Sequence, residues 1–155
     1  TGWTGARAIV TAGDGGAFSP QLAVDAHGNA SVAWTESTFV EMDTSEFSPW
    51  AMRFDPATGQ WGSADALDDN GSAGFPNNQL FGTEGSGVAV WPRLTDGRVS
   101  IRASRYAVGT GWGDSIDIAA AHSELTTVIP RMALDRVESS SSFGSRLFIA
   151  SIVSV

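Results

Sequence analysis

A chain of 155 residues has the length of one domain, and 42% apolar residues are enough to bury a core. Without cysteine it has no disulfides, no thiolate metal sites and no cysteine nucleophiles. A net charge of −8 repels phosphate backbones and anionic lipid, so no nucleic-acid partner is expected; no apolar run is long enough for membrane insertion as a helix.

Eighteen Gly and six Pro, with clusters of Asn, Asp and Ser, cut the chain into short runs, which predicts many short strands rather than helices. The start at Thr1 fits a processed form or an excised piece. In chain order, a first strand is led by Trp3 and ends at Ile9. Pro20 opens a strand over residues 22–25, since proline is tolerated where a strand begins. Asp25-Ala26-His27-Gly28-Asn29 has hairpin-turn chemistry, and the strand over 30–35 alternates small and large side chains. Residues 38–49 read as a long loop. A third strand covers 51–54, and a Thr-Gly turn leads to a fourth, from Trp61 to Leu67.

The same order then recurs. Thr1-Gly2-Trp3, Thr58-Gly59-Gln60-Trp61 and Thr110-Gly111-Trp112 lead segments that end at Ile9, Leu67 and Ile118. Prolines 20, 76 and 130 follow, and Pro20-Gln21-Leu22-Ala23-Val24-Asp25 matches Pro130-Arg131-Met132-Ala133-Leu134-Asp135. Trp34, Trp91 and Phe148 stand at a constant interval of 57 residues, and Ala51-Met52-Arg53-Phe54 matches Ala103-Ser104-Arg105-Tyr106. Landmarks that keep their order while loop lengths vary mark a structural repeat, with units at about 1–57, 58–109 and 110–155. Four antiparallel strands per unit of about fifty residues, with aromatics at fixed points, predict an all-β, β-propeller-like chain of ~2.75 four-stranded blades. Eleven strands are expected, too few to close a ring within this chain.

The run from Pro20 to Trp34, Pro-x-x-Ala-x-Asp-x-x-Gly-Asn-Ala-x-x-x-Trp, resembles a motif of exported bacterial repeat proteins. Ala103-Ser104-Arg105-Tyr106 and Gly109-Thr110-Gly111-Trp112-Gly113 match the motifs that follow it in that group. The resemblance spans almost the whole chain and implies β-propellers, secreted or at the bacterial cell surface. It brings no catalytic residue and no cofactor. The chain departs from the pattern at residues 38–50, 81–84 and 138–143, the segments freest to hold an individual role.

An incomplete ring exposes apolar faces and unpaired edges. Leu147, Phe148, Ile149, Ile152, Val153 and Val155 make an apolar, uncharged, β-prone tail, expected to pair with a strand of another subunit or of another chain completing the propeller.

Among candidate ligand-binding residues, Trp3, Trp34, Trp61, Trp91 and Trp112 sit at repeat landmarks and are expected in the core. Trp50 lies off the pattern beside Pro49 and is the candidate aromatic for a glycan. Glu36, Glu41, Asp43 and Glu46 cluster near it, but their spacing fits no calcium loop, and an acidic solvated loop is the plainer expectation. His27 falls in a turn, and with His122 the only other histidine and no Gly-x-Ser-x-Gly elbow, a Ser-His-Asp triad is not expected. The Ser-x-Asp-x-Gly-x-Thr-Trp turn of sialidases is missing. Arg53 and Arg105 occupy equivalent positions and are expected to pair with repeat aspartates such as Asp25 and Asp135. The leading expectation is a non-enzymatic extracellular scaffold or adhesion module acting through protein contacts. A lectin-like module follows, and a fragment of a propeller glycoside hydrolase comes third.

Overall fold

The computed structural model describes residues 5–11, 13, 15–25, 27–41, 44–68, 78–81, 85–122, 128–137 and 144–153; the strands at 78–81, 128–137 and 144–153 are described through their backbone alone. Among them are eleven strands and no helix. Sheet 1 joins β1 (Ala17–Val24), β2 (Ala30–Glu41), β3 (Thr44–Asp55) and β4 (Gln60–Ala66) in sequential antiparallel order. Sheet 2 joins β5 (Asn78–Phe81), β6 (Gly87–Thr95), β7 (Arg98–Ala107) and β8 (Gly111–Trp112), with β9 (Ile116–His122) also on β7. A third sheet pairs β10 (Val128–Val137) with β11 (Gly144–Val153). The first strands are neighbours: β5 contacts both β1 and β10.

The total of eleven agrees with the expectation, but its make-up differs. Of the leading strand read from Trp3 to Ile9, residues 5–9 form no strand, and Trp3 lies outside the described residues. The strand read from Trp112 to Ile118 is instead split into β8 and β9 by residues 113–115. Pro20 does not begin its strand; it sits inside β1 at a bulge between Phe18 and Gln21, where Ser19 has φ 50°. The largest correction concerns residues 38–49. They are not a loop but the far end of a long β2–β3 hairpin, in register from Ala30–Phe54 to Phe39–Ser45 and shifted by one residue at Glu41–Thr44. Trp50 therefore lies well inside β3, opposite Trp34 of β2 and Ala66 of β4.

Turns form where their chemistry predicts. Asp96 and Gly97 both take positive φ (50° and 71°), the conformation that a two-residue turn between β6 and β7 requires. Between β1 and β2, Asp25 accepts hydrogen bonds from the backbone N–H groups of His27 and Asn29, and Gly28 takes φ 84°.

Alternation gives each sheet two faces. Ala33 and Ala51 of sheet 1 are fully buried with Leu67 against Ala89 and Trp91 of sheet 2, and Trp112 packs at the margin. Three alanines leave room for one indole, so Trp91 fills the space between the sheets. The reverse face of sheet 2 carries Val90, Ile101 and Ala103, joined by Val88, Val99 and Ala119. Period-2 alternation then puts Trp34, Trp50 and Met52, the neighbours of Ala33 and Ala51, on the face of sheet 1 turned away from sheet 2. Trp34 and Trp91 thus look the same way, each away from the sheet that follows.

Truncating this indole leaves a cavity between two sheets. Trp91→Ala should lower unfolding free energy by about 3–5 kcal/mol in urea titrations, and Ala33→Leu by about 1–3 kcal/mol through overpacking.

Candidate functional site

Two arginine–aspartate anchors cross the junction between sheets 1 and 2. Asp25, just past β1, has no side-chain exposure, and Arg53 of β3 approaches it at 3.4 Å. The other guanidinium nitrogen of Arg53 donates to the Gly85 carbonyl at 3.1 Å, and the group lies 4.4 Å from the centre of the Tyr106 ring in sheet 2. Arg53 is thus held by its own sheet and clasps the next. The expected Arg53–Asp25 pair is present. Arg105, at the corresponding position, is exposed, and the side chain of Asp135 lies outside the described residues.

Gly85 permits this approach. It has φ 77°, and a Cβ there would lie 3.2 Å from Val108 and 3.5 Å from the Asp25 carboxylate. Burial by itself raises the pKa of Asp25. The hydrogen bonds from the Asn29 side chain and from the His27 and Asn29 backbone, with the charge of Arg53, outweigh it and hold the carboxyl below its ordinary 3.8.

The second anchor was not foreseen. Asp68, just past β4, accepts from Arg102 Nη1 at 2.9 and 3.1 Å and from Trp91 Nε1 at 3.2 Å. Arg102 Nη2 donates to the Ser115 carbonyl at 2.8 Å, and its Nε is 3.6 Å from Asp117. A buried carboxylate of one sheet therefore accepts from both the indole and one guanidinium nitrogen of the other. The signal lay in comparing aligned units. Asp68 corresponds to Val10 before it and Ala119 after it, while the Trp91 position is held by Trp34 and Phe148. Phe148 has no N–H to satisfy, and Trp34 donates instead to Glu36 of its own strand at 2.9 Å. A carboxylate stands at position 68 in the one junction where the indole needs it.

Two clefts flank the outer strands at corresponding positions. One, of about 640 Å³, lies between Ala64–Asp68 and Thr110–Ser115, with Arg102 and Trp112 in its wall. The other, of about 690 Å³, lies between Arg7, Ala8 and Ile9 and the 58–62 turn, with Phe54 and Trp61 in its wall. Trp61 and Trp112 pack on Phe54 and Tyr106 with ring centres 5.5 and 5.4 Å apart. Residues 7–9 therefore stand against sheet 1 as residues 65–67 stand against sheet 2.

The reverse face of sheet 1 is unlike its counterpart. Leu22 and Val24 are 67% and 59% exposed, and Val32, Trp50 and Phe54 are half-buried, while Trp34 and Met52 are buried. Trp50 thus belongs to an apolar sheet face rather than to a loop. Of the carboxylates grouped with it, Glu36 is engaged by Trp34, Glu46 is exposed on β3, and Asp43 lies outside the described residues. His27 is exposed in its turn. Leu147, Phe148, Ile149, Ile152 and Val153 fall in β11, which pairs along its length with β10 of the same chain; Val155 lies outside the described residues. Among the described strands, β11 has no second neighbour.

Compared with known proteins, the chain matches no family model, no curated protein and no solved structure.

Asp68→Ala strands a buried guanidinium and should cost about 3–5 kcal/mol, whereas Trp91→Phe, which removes only the donor and a little volume, should cost about 1–2 kcal/mol; both are read from urea midpoints. The folded-state pKa of Asp25 is the lower one, so its contribution to stability is present above about pH 4 and is lost as pH falls through the folded value. Stability measured from pH 5 to pH 2 should decline, and less steeply in Asp25→Asn.

Proposed function

We propose that the chain is a β-propeller-like repeat module, exported to the bacterial surface or secreted, that works as a non-enzymatic scaffold through protein contacts. Each four-stranded unit is a blade, and neighbouring first strands, as in β1, β5 and β10, suit stacking around an axis. The observation that carries the scaffold reading is the reverse face of sheet 1. There Leu22 and Val24, at 67% and 59% exposure, form an apolar edge facing solvent beside the buried Trp34 and Met52.

The clefts favour a second reading, a lectin-like module. An aromatic wall beside Asp65, Asp114 and the Thr110 turn could hold a polyhydroxylated ligand between blades. A glycan array separates the two. The scaffold reading predicts no retained sugar above background. Sugar binding that disappears in Trp112→Ala or Trp50→Ala overturns it in favour of the lectin.

A further inference from the structure

We infer that the cleft between residues 7–9 and the 58–62 turn takes an acidic segment of a partner protein, with Arg7 holding a carboxylate and Ile9, Phe54 and Trp61 receiving an apolar side chain next to it. The inference rests on the scaffold reading and names the chemistry of what the scaffold holds.

The two clefts share a plan and differ in charge. Asp65, Asp68 and Asp114 line the one beside Trp112, and Arg102 in its wall is already engaged by Asp68. The cleft beside Arg7 has no carboxylate among its lining residues, in a chain whose net charge is −8. Arg7 is exposed, and among the described residues no carboxylate stands within ion-pair distance of it. A guanidinium without a carboxylate of its own, in the wall of an acid-free cleft, offers a planar fork to an incoming carboxylate.

The other lining groups decide what carries that carboxylate. The Thr58 hydroxyl is taken up by Asp55, donating to Oδ2 at 3.0 Å, which leaves Arg7, Gln60 and the Trp61 indole N–H as the polar side-chain groups. Around them the wall is apolar: Ile9 is 41% exposed, and Phe54 and Trp61 are half-buried. Gly59 and Gly62 leave the main chain of the turn bare, and a Cβ at Gly59 would meet nothing within 4 Å. From Gln60 onward β4 has β3 as its one strand neighbour among the described residues, so its outer N–H and C=O groups suit an extended chain. An acidic peptide uses all three features: the guanidinium, the apolar wall and the strand edge. A sugar acid uses the guanidinium and leaves the edge without a counterpart. The volume of about 690 Å³ is ample for two neighbouring side chains.

The test titrates the isotope-labelled full chain with a short capped peptide of alternating Val and Glu, with its Val-Gln counterpart and with glucuronate, and follows backbone amide shifts. The Glu peptide should move the amides of residues 7–9 and 58–62 and bind about tenfold more tightly than the Gln peptide. Arg7→Gln should erase that difference and leave the melting temperature unchanged, whereas Arg98→Gln, at another exposed arginine, should preserve it. Equal affinity of the two peptides, including no binding by either, overturns the inference, and so does an Arg98→Gln variant that weakens the Glu peptide as much as Arg7→Gln. Glucuronate that binds as tightly as the Glu peptide and is lost in Arg7→Gln also overturns it, since the ligand is then a sugar acid. A blank peptide titration beside a blank glycan array defeats this inference alone; sugar retained on the array through Trp112 or Trp50 defeats the scaffold reading instead.

Discussion

The junction of the first two sheets depends above all on the buried carboxylate of Asp68. Two apolar sheets brought face to face have little to fix their angle or translation, because alanine against tryptophan packs in many ways. A carboxylate that must meet an indole N–H and a guanidinium at once has far fewer solutions. The pair is almost wholly buried, with 5% and 11% side-chain exposure, so a misplaced sheet would leave charge without solvent or partner. The apolar contacts supply most of the stabilisation, and the polar ones select a single arrangement. Arg53 does the same nearer the β1–β2 turn, where it joins Asp25 of its own sheet to the Gly85 carbonyl and the Tyr106 ring of the next.

This division of labour explains why corresponding positions carry different side chains. Trp91 is matched by Asp68 across a junction, Trp34 by Glu36 within a strand, and Phe148 stands at a position that needs neither. Arg102 has Trp50 as its counterpart, so the polar fork of one sheet becomes an aromatic plate on the other. Junctions built on one plan but with unlike polar partners reject one another, because a mismatched pairing leaves an indole or a guanidinium unsatisfied. The order in which sheets stack is thereby encoded in a handful of buried polar atoms.

Much of the architecture was legible in the amino-acid sequence. Alternation around Ala33 and Trp34, the Asp-Gly turn and the Gly28 turn are local signals, and each formed the element its chemistry dictates. The β2–β3 hairpin was not legible as such, because acidic residues, Ser and Pro49 between 38 and 49 carry loop composition. Pairing across the strands outweighs that composition, and Pro49 fits as a fully buried residue. Arg53 with Asp25 could be read from the repeat, since both recur in it. Arg102 and Asp68 are not repeated, so they are marked only by their departure from the aligned residues Trp50 and Val10. Trp50 was singled out for lying off the pattern; it does, but as a substitution on a sheet face rather than as a loop aromatic.

The account stands on cooperation between Asp68 and Arg102 across the junction. A double-mutant cycle with Asp68→Asn and Arg102→Met, read from urea unfolding of the full chain, measures it directly. A coupling energy of about 1.5 kcal/mol or more is the predicted result. Additivity within about 0.3 kcal/mol would contradict the account, because the two side chains would then be bystanders to the packing of the sheets.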